Sequence, residues 1–192
     1  MTTGAVFPTE TVLSDGSVYR VVPVGAGVRA IRAWVEHPWP MGPAQALALR
    51  DRLGWTSSPT NERMFTTDHG IGEKDASFNT IEAGGDIRTV SSFHLSLTSR
   101  IPKPVRAEAV PIAERAFEAY VEALTAVYGQ GKRSRNRGVL SVKWTLPNDA
   151  LVNIGTIGRV VSIDVDSPAS NEAARGEAQY FAEIADENDP AR

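Results

Sequence analysis

Apolar side chains recur at intervals of three and four along residues 111–128, as Ile112, Ala116, Phe117, Tyr120, Leu124 and Val127 set opposite Glu114, Arg115, Glu118 and Glu122. That spacing predicts a long amphipathic helix with one side on a sheet. It starts near Glu108, with Pro111 tolerated in its first turn. Gly129 and Gly131 end it, and residues 132–137, Lys-Arg-Ser-Arg-Asn-Arg, read as a basic loop. From 139 to 165 the period changes to two. Leu140, Val142, Trp144 and Leu146 alternate with Ser141, Lys143 and Thr145, Pro147-Asn148-Asp149 turns the chain, and strands over 151–156 and 159–165 complete a meander about Gly158. Ser167-Pro168 introduces a last helix over 170–184, and 186–192 should fray.

Upstream, residues 1–10 look frayed, while 11–13 and 18–24 flank Ser14-Asp15-Gly16-Ser17, whose Asp-Gly pair suits the turn of a β-hairpin. Looser alternation over 28–35 predicts a third strand. His37-Pro38-Trp39-Pro40-Met41-Gly42-Pro43 then stops regular structure, since each proline removes a donor and restricts the residue before it. Met41 is a second candidate start of translation, against which the orderly pattern before it speaks. A short helix is predicted over 44–53, opened by Pro43 and closed by Gly54, with Trp55 packed against it. Strands follow over 63–67, 76–82 and 87–98, the last two joined by Gly84-Gly85-Asp86. In the third of them Phe93, Leu95 and Leu97 share a core face with Ile87, Thr89 and Ser91, leaving Arg88, Val90, Ser92, His94 and Ser96 on a wet face. Residues 101–104 form a stiff, proline-rich connector. The predicted class is α+β: an antiparallel sheet backed by one long amphipathic helix and two shorter ones, with an N-terminal hairpin extension. The expected organisation is an arm at 1–40, a single domain at 41–185 and a flexible tail at 186–192.

A chain of 192 residues that is 42% hydrophobic can bury one sizeable core without covalent staples. It has no cysteine, which removes disulfide frameworks, thiolate metal sites and cysteine nucleophiles. Its net charge of -3 argues against a broad phosphate-neutralising surface, so nucleic acid is not the expected partner. No apolar run approaches the roughly 20 residues of a membrane span, and the N-terminus lacks the order of a signal peptide. A cytoplasmic protein with no membrane association is expected.

Candidate chemistry is sparse. His37, His69 and His94 are far apart and lack metal-ligand spacing. Asp68 beside His69 offers an acid–base pair on a loop, to which His94 could be brought by folding, although the plainer reading makes Asp68 a turn former with Gly70 as its partner. Asp164 and Asp166 share one side of a strand, where two solvated carboxylates are the plain alternative to a divalent cation. Gly25-Ala26-Gly27 lacks the third glycine of a phosphate loop, and no GxSxG or GxxxxGK[ST] motif occurs. No metal and no cofactor are expected. The basic run Lys132, Arg133, Arg135 and Arg137 has no interleaved aromatic residue, which points to an acidic protein surface rather than bases. Trp34 and Trp39 fall in a tryptophan-rich stretch that also holds Trp55, and exposed tryptophan is a favoured interface anchor.

From residue 43 to 184 the order helix, three strands, long helix, two or three strands, helix resembles the chaperone fold of type III secretion systems, whose antiparallel sheet is backed by helices. The hairpin region at the N-terminus departs from that pattern. The passage at 39–55, Trp-Pro-Met and then Ala-Leu-Ala-Leu-Arg-Asp-Arg-Leu-Gly-Trp, is similar to uncharacterised actinobacterial domains associated with toxin–immunity neighbourhoods. These resemblances imply protein binding and carry no catalytic residue over. The expected function is therefore a non-catalytic binder, an immunity protein capping a toxin or a secretion chaperone, with homodimerisation left open. The alternative is a small-molecule-binding domain or small enzyme using a pocket beside the sheet near Asp68, His69 and His94.

Overall fold

The computed structural model describes residues 9–72, 74–82, 88–100 and 103–187. The expected turn at Gly84-Gly85-Asp86, most of the frayed N-terminus, the start of the proline-rich connector and residues 188–192 of the tail lie outside them.

A hairpin of β1 (Glu10–Val12) and β2 (Val18–Arg20) opens the chain. Gly16 turns it at a φ of 81°, and the Ser17 amide donates to Asp15 Oδ1 at 2.9 Å. Next come α1 (Val24–Val35) and α2 (Pro43–Arg52). The strands β3 (Thr56–Ser58), β4 (Asn61–Thr66), β5 (Ala76–Glu82) and β6 (Arg88–Ser96) follow. After a single 3-10 turn at Lys103–Val105 the chain enters α3 (Arg106–Tyr128). It then forms β7 (Lys132–Asn136), β8 (Val139–Thr145), β9 (Leu151–Thr156), β10 (Val161–Asp166) and α4 (Pro168–Glu187).

Eight strands make one antiparallel sheet in the order β3-β4-β5-β6-β10-β9-β8-β7, two meanders joined where β6 pairs with β10. The 23 residues of α3 carry the chain from the middle of the sheet to its far edge. At a rise of about 1.5 Å per residue such a helix is roughly 35 Å long, enough to cross several strands. Its small residues Ala109, Ala113 and Ala116 are fully buried, which lets the helix lie close on β9 and β10. The α+β class, the antiparallel sheet and the N-terminal hairpin are as the residue pattern indicates.

Residues 24–35 correct the expected third strand: they are helical. The buried positions Gly27, Ala30, Ile31, Trp34 and Val35 follow the helical spacing, while Arg29 and Arg32 face solvent. Side chains before residue 40 enter the same core as the rest, since Tyr19, Val21, Ile31, Trp34 and Val35 cluster with Phe65, Phe93 and Phe117. The Val22 amide donates to Leu97 O at 2.9 Å, and the Tyr120 hydroxyl donates to Val22 O at 2.9 Å.

Three smaller corrections follow from local geometry. The expected basic loop is the edge strand β7, turned into β8 by Arg137 and Gly138 at φ of 47° and 81°. The strand β3 had no sequence signal. In β6 a bulge shifts the register between Asn79 and Thr80, so that Val90 as well as Ser91 is buried, and the simple division into two faces holds only from Ser92 onward.

Candidate functional site

Alternation along the strands sends Phe93, Leu95, Val152, Ile154, Ile163 and Val165 into the core beneath α1, α2 and α3. The opposite face of the sheet carries the intervening residues. Register aligns Ser77, His94, Asp164, Asn153, Lys143 and Lys132 in one polar row across six strands. A parallel row holds Ser96, Ser162, Gly155, Ser141 and Ser134. Residues 172–181 of α4 are exposed, and its first turn is tied to the sheet by the Ser167 amide donating to Ser91 O at 2.8 Å.

At the centre of the polar face, His94 Nδ1 donates to Asp164 Oδ1 at 2.8 Å, with side chains 39% and 45% exposed. The contact fixes the imidazole through one nitrogen, while water still reaches the pair. Beside it, Asp166 has its pKa raised, first by burial and then by the neighbouring Asp164 charge, against an opposing pull from Lys143. A folded-state pKa above the unfolded one means that folding disfavours the ionised carboxylate, so Asp166 lowers stability at neutral pH. That loss fades as pH falls through the folded pKa. Asp166→Asn is therefore expected to melt slightly higher than the parent at pH 7, the difference shrinking towards zero near about pH 3. A lower melting temperature at pH 7 would mean that Lys143 outweighs burial.

Folding splits the expected acid–base trio. His69 Nδ1 lies 3.4 Å from Asp68 Oδ1 on the loop after β4, whereas His94 takes Asp164. That loop is organised by Thr67, whose amide and hydroxyl donate to the Asp75 carboxylate at 2.8 and 2.7 Å. Burial raises the Asp75 pKa, and these hydrogen bonds oppose it. Asp164, 70 residues from His94, is a carboxylate that sequence reasoning set aside as solvated, and only strand pairing reveals its partner. Among the described residues no group of three or more His, Asp or Glu could hold a metal ion.

Trp34 is corrected from a contact residue to a core residue: it is fully buried, stacked on Phe93 at 4.1 Å between ring centroids. Trp39 is half-buried and lines a groove of about 550 Å³ with Pro38, Pro40, Val90 and Pro168. Within the basic run, Arg133 is committed to its own chain, Nη1 and Nη2 donating to the two Glu118 carboxylate oxygens at 2.7 Å. That contact holds the Glu118 carboxyl below its usual range, and the Arg133 guanidinium also lies 5.8 Å from the Phe117 ring centroid. Lys132, Arg135 and Arg137 are exposed.

At one end of the polar face a depression of about 430 Å³ is lined by His94, Ser96, Arg100, Arg159 and Ser162, with Ile157 and Val160 as its apolar wall. Among the described residues no helix is long and apolar enough to cross a membrane. The model of a family described as a family of unknown function, DUF6301, matches residues 25–167, the span from α1 through β10. No curated protein and no solved structure matches the chain.

Proposed function

We propose, for a chain that belongs to the DUF6301 family of unknown function, a non-catalytic protein-binding role in the cytoplasm, exercised through the polar face of its eight-stranded sheet. The observation that carries this reading is the one-sidedness of the sheet: α1, α2 and α3 pack on one face, while the other presents rows of Ser, Asn, His, Asp and Lys side chains. Six strands about 4.8 Å apart and six residues long span roughly 24 by 20 Å, on the order of 500 Å² in projection. With side-chain relief, that approaches the roughly 800 Å² each partner contributes to a standard interface. Mixed charges on such a face favour steering and register over raw adhesion, as an immunity protein or a secretion chaperone requires. The chaperone role is supported by the resemblance in element order and the immunity role by the resemblance of the passage at 39–55.

The test pairs the purified chain with the product of an adjacent gene. Lys143→Glu combined with Ser141→Arg is expected to weaken that complex by about tenfold or more, with the free protein still folded by circular dichroism. His69→Ala, in the loop between β4 and β5 and in neither polar row, should leave affinity intact. Unchanged affinity in the Lys143 and Ser141 variant would remove the face from the interface and sink this reading. The competing small-molecule reading is favoured by the His94–Asp164 pair at 2.8 Å, beside the depression at the end of the face.

A further inference from the structure

From the side chains around the depression at the end of the polar face, we infer that it is a binding site for a phosphate monoester or free phosphate. Arg100 follows β6 and Arg159 lies in the turn between β9 and β10, both exposed and both lining the same depression. Several other arginines are neutralised within the fold: Arg20, Arg32, Arg50, Arg133 and Arg175 each lie 2.6 to 3.0 Å from a carboxylate. Among the described residues Arg100 and Arg159 have no such partner, and no carboxylate lines the depression with them. Two guanidinium groups without a carboxylate partner among the described residues thus line one concavity of a chain whose net charge is -3. A concave setting concentrates such a field on a small anion more than a flat surface does.

The remaining lining narrows the ligand. Ser96 and Ser162 are direct cross-strand partners, so their hydroxyls reach the depression from adjacent strands. The imidazole of His94 is held through Nδ1 by Asp164, which leaves its Nε2 edge for a ligand. Two planar guanidinium forks and two hydroxyls offer more donors than the two oxygens of a carboxylate can accept, while His94 Nε2, an acceptor when Nδ1 carries the proton, can take the hydrogen of a singly protonated phosphate. The three terminal oxygens of a phosphate monoester match those donors, and arginine binds such oxygens in pairs. The lining includes no Phe, Tyr or Trp side chain, so nothing in it calls for a base in the ligand. At about 430 Å³ the space falls within the usual range for small-molecule sites and holds a phosphate with a short organic group resting on Ile157 and Val160. The site requires no protein partner, so its failure and that of the protein-binding role are separable.

Titration calorimetry and amide chemical-shift mapping of the full chain with inorganic phosphate and with glycerol 3-phosphate test the assignment. Chloride at matched ionic strength and succinate are the comparison anions. Saturable binding with a Kd in the millimolar range or tighter is expected, with shifts centred on Ser96, Ile157 and Ser162. Arg100→Gln together with Arg159→Gln should weaken it about tenfold or more, while Arg135→Gln on the sheet edge should not. Tighter binding of the ester than of free phosphate marks an organic phosphate as the ligand, and equal binding marks the free anion. Absence of saturation up to about 20 mM, equal binding of succinate, shifts spread over the whole surface, or an equal loss in Arg135→Gln would each overturn the proposal. The shift map of the unmodified chain decides the matter even where a double variant fails to fold.

Discussion

Trp34→Ala is expected to lower the free energy of unfolding by about 3–5 kcal/mol, the range for removing a large aromatic side chain from a core. Trp34 is fully buried and joins three strands to α1: its ring centroid lies 4.1 Å from that of Phe93, 6.4 Å from Phe65 and 6.3 Å from Phe78. Trp55 extends the cluster on the same Phe93 ring at 6.1 Å. Alanine would leave a cavity that these rings, seated on separate strands, cannot collapse to fill. Native stabilities are commonly about 5–15 kcal/mol, so the loss is a large fraction of the whole. Trp34→Phe should cost less, because it keeps a ring on Phe93 and removes an indole N–H that is buried without a partner among the described residues. Urea unfolding followed by far-ultraviolet circular dichroism measures both. A near-neutral Trp34→Ala would contradict the buried placement of this residue and reopen it as a contact.

Gly27→Ala is expected to destabilise the protein although alanine is the better helix former. A Cβ at Gly27 would lie 2.7 Å from Cε1 and 2.8 Å from Cζ of Tyr120, closer than real Cβ contacts come. Tyr120 cannot yield easily, being fully buried on α3 with its hydroxyl bonded to Val22 O at 2.9 Å. Overpacking of this kind costs about 1–3 kcal/mol and sometimes more, against a propensity gain of at most about 1 kcal/mol. The clash should win. Gly25→Ala on the same helix is the internal control, since its nearest neighbour would be Arg29 Nη1 at an ordinary 3.6 Å. That change should be neutral or mildly stabilising, so the two substitutions differ in sign in one unfolding experiment. Equal effects would mean that α1 and α3 are not in close contact at Gly27.

Where neighbouring residues dictate structure, the chain was readable in order. Asp15-Gly16 set the first hairpin, Pro43 and Gly54 bracketed α2, and the apolar stripe of 112–124 placed α3. Charge misled at 132–136, because edge strands commonly carry basic residues that discourage pairing with other chains, and such a strand looks like a solvated loop. Two glycines and a partial alternation concealed α1. Its apolar set meets the helical template through Gly27, whose burial reflects the near approach of α3 rather than hydrophobicity. Trp34 could be recognised as important by type, yet the fate of a tryptophan, anchor or core, depends on which surfaces meet it.

The candidate site was the least visible part. His94 could be placed on a wet strand face by period alone, but its partner Asp164 arrives through the pairing of β6 with β10, across α3 and three intervening strands. Arg100 and Arg159 carry no motif between them and meet only because both lie close to the paired ends of β6 and β10. Composition and period were sufficient for the class of fold, the position of most elements and the absence of cysteine chemistry, because these depend on each residue and its near neighbours. Which histidine has a carboxylate, which arginines remain unneutralised and which sheet face stays uncovered depend on long-range register and helix placement, and those are properties of the folded chain.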